Sequence, residues 1–353
     1  MRLLNKRALV IKLDHIGDFA LALPALRGWK NLQPDTVIDV VVGPINLGWQ
    51  EVTPWLGQFH AIQFPGYQVG REGKVPKWRV VRSLIRLASH LRRNSYDVAI
   101  DLRTAEGDWR GKLIAWLSGA RRRLGGVGKG EHFLTEVCED SHAHQSEMIA
   151  ARLRKIVPAL SPTMEGCVSV QRTRPATKVV QLLLHPGAGN AAKRWPVAHW
   201  IRLARMLAAE SATVTARFLG ASPDEPLIRE ICAGAGLDPA GQIISRSLRE
   251  TLQTIADSDL LVGLDSAAPH LAALVGTPAI TIFSAANDVV RWQALGDNTV
   301  LRTEIECSPC AQAACRWPIH HCMVRIAPEE VFRAIMEKVR VGSNPEIASG
   351  DTR

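Results

Sequence analysis

Residues 260–283 read LLVGLDSAAPHLAALVGTPAITIF. An apolar run, Leu260–Leu264, ends at Asp265-Ser266; a helical run, Ala267–Val275, follows, and a second apolar run, Ala279–Phe283, closes the stretch. Short buried-strand runs separated by a helix predict neighbouring strands of a parallel sheet. The turn between strand and helix then falls at the sheet's carboxyl edge, where ligands of open α/β folds bind. A similar arrangement stands near the start. Lys12-Leu13-Asp14-His15-Ile16-Gly17-Asp18 follows the apolar run Ala8–Leu13 and precedes an apolar-faced helix, Ala20–Trp29. Two such edges, one per half, predict two domains and a cleft in which chemistry is done.

The alternation of strand and helix signals extends outward from both stretches. In the first half, strands are expected at Thr36–Val42, Ala61–Phe64 and Asp97–Leu102. Helices are expected at Val75–Asn94, Trp109–Leu117 and Met148–Ile156. Ser161–Thr177, with Pro162, Gly166 and Pro175, reads as a linker. Strands then resume at Val179–His185 and Thr213–Leu219, and helices at Pro196–Glu210, Asp224–Ala235, Leu248–Asp257 and Pro328–Val339. The chain's 353 residues suit two domains better than one core. The expected division is a domain over 1–170, a second over 176–340, and a disordered polar tail over 341–353.

Composition narrows the class. With 46% hydrophobic and 22% charged residues the chain reads as a soluble globular protein. No run of about 20 apolar residues predicts a membrane-spanning helix, and the N-terminus lacks a signal-peptide core, so a cytoplasmic location is expected. The net charge of +9 favours anionic partners: phosphates, nucleic acid or an acidic membrane. Lys74, Lys77, Arg79, Arg82, Arg86, Arg92 and Arg93 concentrate that excess, as do Arg121-Arg122-Arg123. No zinc-finger or aromatic RNA-binding signature accompanies it, which argues against nucleic acid. Seven cysteines should be mostly reduced in the cytoplasm, with Cys138, Cys167 and Cys232 in the core.

Three motifs carry candidate chemistry. In the first loop, Gly17 would let a ligand approach the backbone closely, and Asp18 suits either helix capping or general-base catalysis on an attacking hydroxyl. Asp14 and His15 are weaker candidates. The second motif is His185-Pro186-Gly187-Ala188-Gly189-Asn190-Ala191-Ala192-Lys193-Arg194-Trp195-Pro196. Its small residues could expose N–H groups to a diphosphate beside the charge of Lys193, and it lacks Walker A spacing. In the third, Asp265 or Ser266 could cap a helix or hold a ligand. His270, one turn in, is either a packed core histidine or a ligand contact.

KLDHIGDFALALPALR, HPGAGNAAKRWPVAHW and GLDSAAPHLAALVGTPAITIFSAAN, in this order, resemble glycosyltransferase family 9, the heptosyltransferases of the lipopolysaccharide inner core. The resemblance spans roughly residues 7–340. It implies an α/β GT-B fold, two Rossmann-like doubly wound domains facing a central cleft, with the acceptor on the N-terminal domain and the nucleotide sugar on the C-terminal one. It also implies inverting transfer of heptose from ADP-heptose with no catalytic metal and no cofactor beyond the donor. By position, Asp18 matches the family's catalytic aspartate and Lys193 its diphosphate lysine. Asp265 matches the aspartate on the heptose hydroxyls, and Ser266, Ala267 and His270 match donor contacts. Gly187, Ala188 and Gly189 complete the donor loop, where some members carry hydroxyl residues. The acid that some members place on the ribose falls near Ser222, with Asp224 and Glu225 behind it. Lys12, His15, Gly17 and Arg79 are expected on the acceptor side.

Two further features remain open. Cys307-x2-Cys310-x4-Cys315-x6-Cys322, with His320 and His321, has the spacing of a zinc or iron–sulfur loop, but such loops also occur in the family as plain thiols, and no metal is expected. The basic helix Val75–Asn94 is either a solvated face or a contact for an anionic, membrane-held acceptor. The partners expected are therefore a nucleotide sugar, an anionic lipopolysaccharide-type acceptor and the inner surface of the inner membrane. The competing readings are a GT-B enzyme using another nucleotide sugar for a different surface glycan, and a non-enzymatic protein that binds anionic ligands.

Overall fold

The computed structural model describes residues 7–64, 76–103, 108–139, 142–175 and 177–342, so Lys74, Val75 and the tail from 343 lie outside the described residues. The chain divides into two compact units, Met1–Ser169 and Val170–Arg353.

The first unit contains β1 (Arg7–Lys12), α1 (Ile16–Ala20), α2 (Leu23–Leu32), β2 (Val37–Val42), α3 (Trp49–Val52), β3 (Phe59–Ala61), α4 (Lys77–Arg93), β4 (Val98–Asp101), α5 (Arg110–Leu117), β5 (Arg122–Gly126), β6 (Glu136–Cys138) and α6 (Gln145–Arg154). Its strands form a parallel six-stranded sheet in the order β3-β2-β1-β4-β5-β6. β1 runs down the middle, flanked in register by β2 (Ile11 beside Val41) and β4 (Ile11 beside Asp101). Helices on a parallel sheet must bury both faces, so the central strands are continuous apolar runs. Leu9, Val10 and Ile11 are fully buried accordingly.

The second unit repeats the plan with β7 (Val180–His185), α7 (Val197–Ala209), β8 (Val214–Ala221), α8 (Glu225–Ala235), β9 (Ile243–Ser245), α9 (Leu248–Ala256), β10 (Leu260–Leu264), α10 (Ala267–Val275), β11 (Ala279–Phe283), α11 (Val289–Trp292), β12 (Asn298–Arg302), α12 (His321–Val324) and α13 (Pro328–Gly342). The order is β12-β11-β10-β7-β8-β9. Counted from each unit's first strand, both sheets run 3-2-1-4-5-6, the doubly wound dinucleotide-binding topology. Fully buried Trp200 anchors this core, edge-on to Trp195 at 5.0 Å and to Phe218 at 6.2 Å. Truncating such a residue costs about 3–5 kcal/mol.

The structure corrects several expectations. The single helix expected over Ala20–Trp29 is two, because the chain breaks at Leu21-Ala22 and restarts with Pro24 in the first turn of α2. Ser161–Thr177 is not a free linker. Thr163 N donates to Pro24 O and Ser169 N to Val52 O in the first unit. Arg172 pairs with Asp259, and Thr173 N donates to Asp257 Oδ1, in the second. Arg122, part of the positive excess, lies in β5 and makes a bidentate pair with Glu136 of β6 at 2.7 and 2.9 Å.

Candidate functional site

A doubly wound sheet offers its ligand crevice where the strand order reverses. In the second unit that point lies between β7 and β10, which are adjacent and parallel with His185 beside Gly263. The loops leaving these two strands must diverge there. This is why residues 72 positions apart meet: Lys193 Nζ lies 3.1 Å from Asp265 Oδ2. The neighbouring loop after β11 adds Asn287, whose Nδ2 donates to the same oxygen at 2.9 Å. Asp265 is 5% exposed. Burial pushes its carboxyl above the usual carboxylate range, and Lys193 and Asn287 oppose that rise without cancelling it.

Beside this cluster α10 begins. Ser266 occupies the N-cap position but makes no capping bond, and its Oγ is buried without a hydrogen-bond partner. Asp265 is spent on Lys193 and Asn287. The capping expected of Asp265 or Ser266 is therefore not made by Ser266, and a buried hydroxyl is left open beside a helix N-terminus. Ala267 begins the helix proper, and His270 is buried within it.

The loop after β7 approaches the same region. A side chain at Gly187 would run into the Asp224 carboxylate, which also accepts a hydrogen bond from Ala221 N at 3.0 Å. Gly187 is thus glycine because Asp224 lies against its backbone. Gly189 has open space around it, so no contact explains its lack of a side chain. Ala188 O accepts from Arg194 Nε at 3.4 Å, which turns the second cation of the loop back on the loop itself. Burial pushes the His185 imidazole below its usual range, with Asp224 acting against that fall.

The cysteine-rich segment braces both loops through its backbone. Ala192 N donates to Ala313 O at 3.0 Å, and Cys310 N and Ala311 N donate to Ala285 O and Ala286 O at 2.8 and 3.0 Å. Cys307, Cys310, Cys315 and Cys322 are free thiols. Burial pushes the Cys322 thiol up, and its three neighbours in the cluster add to the rise. Among the described residues no group of three His, Cys, Asp or Glu side chains is arranged to hold a metal ion. Cys138, Cys167 and Cys232 are buried.

In the first unit the order reverses between β1 and β4, and the loops after both strands are rich in charge. Asp18 sits in the first turn of α1, partly buried, and accepts a hydrogen bond from His15 N at 3.0 Å. It does cap the helix. Burial raises its carboxyl first and nearby Asp14 raises it further, while Lys12 and His15 oppose. Lys12, expected at the acceptor, is 2% exposed and donates to Asp14 Oδ2 at 2.9 Å, so it lies buried beneath the loop. Arg103 Nε approaches the same oxygen at 3.8 Å. Asn46 Nδ2 fixes the loop from below by donating to Asp14 O at 2.6 Å. Gly17 is buried and His15 exposed. Arg79 stands apart on α4, over the Trp78 ring at 5.3 Å, and pairs with none of these carboxylates.

The last residue of β4 is a second buried acid that sequence reading passed over. Asp101 is 1% exposed and pushed up to about 6 by burial, against the Arg103 backbone N–H and the Arg152 guanidinium. Arg152 Nη1 donates to Asp101 O at 2.8 Å and Arg103 O at 2.7 Å, locking the strand end. Asn287 was missed as well. The one signal available was a polar residue just past a strand end.

Two Rossmann-type units, each with polar loops at its switch point, define a GT-B glycosyltransferase architecture. The chain belongs to glycosyltransferase family 9 (heptosyltransferase), whose family model matches residues 84–321. It is similar to lipopolysaccharide heptosyltransferase 3 of Escherichia coli, 24% identical over 313 residues that cover 80% of this chain and 85% of the relative. It is also similar to lipopolysaccharide heptosyltransferase 1 of Pseudomonas aeruginosa, 24% identical over 341 residues and 88% of each chain. The fold matches the structure of E. coli ADP-heptose lps heptosyltransferase II with a TM-score of 0.74 at 18% identity, covering 96% of this chain and all of that one.

Proposed function

We propose that this protein transfers a heptose from ADP-heptose to a lipopolysaccharide inner-core acceptor, with inversion at the anomeric carbon and without a catalytic metal. The observation that carries the reading is the convergence of Lys193, Asp265 and Asn287 beside the uncapped start of α10. The names of the relatives, lipopolysaccharide heptosyltransferases and an ADP-heptose enzyme, support the substrate pair.

In this reading Asp18 takes the proton from the attacking acceptor hydroxyl as that oxygen bonds to the anomeric carbon. Its raised carboxyl makes it a better base than an ordinary carboxylate. The glycosidic bond to the diphosphate breaks, and the departing negative charge is met by Lys193 and by N–H groups of Gly187, Ala188 and Gly189 and of the α10 N-terminus. Asp265, Ser266, Ala267 and His270 hold the donor sugar. One displacement inverts the centre and needs one carboxylate base, whereas retention would require a second as nucleophile. His15, Gly17 and Arg79 face the acceptor, with Lys12 setting the charge of their loop. The enzyme works at the cytoplasmic face of the inner membrane, in contact with the surface that holds its acceptor. Among the described residues no helix is long and apolar enough to cross it.

Mass spectrometry of a truncated lipopolysaccharide acceptor incubated with ADP-heptose tests this. A gain of one heptose is expected. Thermal-shift measurements separate donors, since ADP-heptose should stabilise the protein and UDP- or GDP-sugars should not; the reverse pattern points to another surface glycan.

A further inference from the structure

Helix α4 has two apolar faces. One is expected of any helix on a sheet: Val80 and Leu91 are buried, with Leu84 and Leu87 packed against the same core. The other points outward. Trp78, Val81 and Ile85 are 59%, 54% and 65% exposed, and their spacing of three and four residues puts them on one stripe. Basic residues run alongside. Arg79, Arg82 and Arg86 are all exposed, and across its 17 residues the helix carries five arginines and one lysine but no aspartate or glutamate. Arg82 and Arg86 make no ion pair with any described carboxylate. An outward Trp–Val–Ile stripe beside unpaired arginines is costly to leave in water, and it matches a surface that is apolar beneath and anionic on top.

We propose that the outward face of α4 lies in the headgroup region of an anionic lipid bilayer, with Trp78, Val81 and Ile85 inserted and Arg82 and Arg86 on lipid phosphates. The proposal rests on the membrane contact inferred above and assigns it to one helix face. It does not depend on which sugar is transferred. A protein partner of matching shape would need acidic groups spaced to meet the arginines, whereas a bilayer supplies them at any spacing.

The test is sedimentation of the full chain with vesicles of phosphatidylcholine alone and of phosphatidylcholine with 30% phosphatidylglycerol, a composition chosen to be strongly anionic. Binding is expected to the anionic vesicles only. At about 1 kcal/mol per basic residue at the surface, Arg82→Gln with Arg86→Gln should weaken it about thirtyfold. Val81→Ser with Ile85→Ser should weaken it at least about tenfold with every charge retained. If the apolar double variant binds as the parent does, or if the parent ignores anionic vesicles, the proposal is overturned. Both variants change exposed side chains, so thermal unfolding should be unaltered. Transfer to a water-soluble, delipidated acceptor is measured in parallel. Its failure in the parent protein would reject the proposed reaction, while the vesicle data alone judge the docking face.

Discussion

Lys193 Nζ and Asp265 Oδ2 lie 3.1 Å apart, and Asn287 Nδ2 holds the same oxygen at 2.9 Å. Loops from three adjacent strands thus close on one buried carboxylate oxygen. Burial raises the Asp265 carboxyl, and Lys193 is the largest influence against it. Lys193 therefore does the most to hold the Asp265 carboxyl down against its burial.

Removing that lysine should have two separable effects. Lys193→Ala leaves a buried carboxylate without its cation, with only Asn287 among the described residues still donating to it, and is expected to destabilise the second unit by about 1–3 kcal/mol. It should also abolish stabilisation by ADP-heptose. Adding Asp265→Asn removes the stranded charge, so the double variant should regain most of the stability and none of the donor response. Thermal unfolding with and without ADP-heptose reads both. A donor shift that survives in Lys193→Ala removes the lysine from the site.

Asp18 should show its role in the pH dependence of kcat/KM. Asp18→Asn is expected to lose about 10²–10⁴-fold in rate. Because burial and then Asp14 raise the Asp18 carboxyl, activity should fall on acidification at a higher pH than an ordinary carboxylate would give. Asp14→Asn removes a neighbouring negative charge and releases Lys12, both of which favour ionised Asp18. The acid limb should move to lower pH. An unmoved limb would mean that Asp18 is not the base or that Asp14 does not reach it.

Much of this was legible in the chain, for a physical reason. β1, β2, β4, β7, β8, β10 and β11 lie inside their sheets with helices over both faces, and each reads as a mainly apolar run even where Asp39, Gln181 or Arg217 interrupts it. β5, β6, β9 and β12 escaped notice because strands toward an edge can keep polar groups. RRLGG in β5 carries Arg122, whose charge is satisfied across the ladder by Glu136. The loops bearing Asp18, Lys193 and Asp265 stood out because each follows an unmistakable strand. Asn287 did not, since its role exists only once β11 is known to lie beside β10. Asp101 was hidden differently. Its sequence context is that of any strand end, and only the fold shows an acid buried with two arginines nearby.

That buried acid makes stability pH-dependent. The folded carboxyl sits at about 6, against an ordinary value of 3.8. Between these values the native state binds the proton more tightly than the unfolded chain does, so stability falls as pH rises through this window. The full cost, about 3 kcal/mol, is present above it. Asp101→Asn mimics the protonated form and keeps an acceptor for Arg103 N. Its unfolding free energy should match the parent's near pH 4 and exceed it by up to about 3 kcal/mol near pH 7, measured by denaturant titration of each across the range. Parallel curves would show that Asp101 stays ionised in the fold.

Gly187 and Gly189 look equivalent in the sequence and should behave oppositely. A methyl at 187 meets the Asp224 carboxylate, and one at 189 meets nothing. Gly187→Ala is therefore expected to cost about 1–3 kcal/mol and to weaken donor binding, because the loop or Asp224 must shift. Gly189→Ala should leave both nearly unchanged. Asp224→Ala alone should cost about 1 kcal/mol, since it gives up the bond from Ala221 N. In the Gly187→Ala background, however, the same change relieves the clash. The double variant should be more stable than the sum of the two single losses, which denaturant unfolding of all four proteins would show as a favourable coupling. Additive losses would mean that the loop takes up the methyl by moving away from Asp224, and that the close approach of the two is not what keeps residue 187 a glycine.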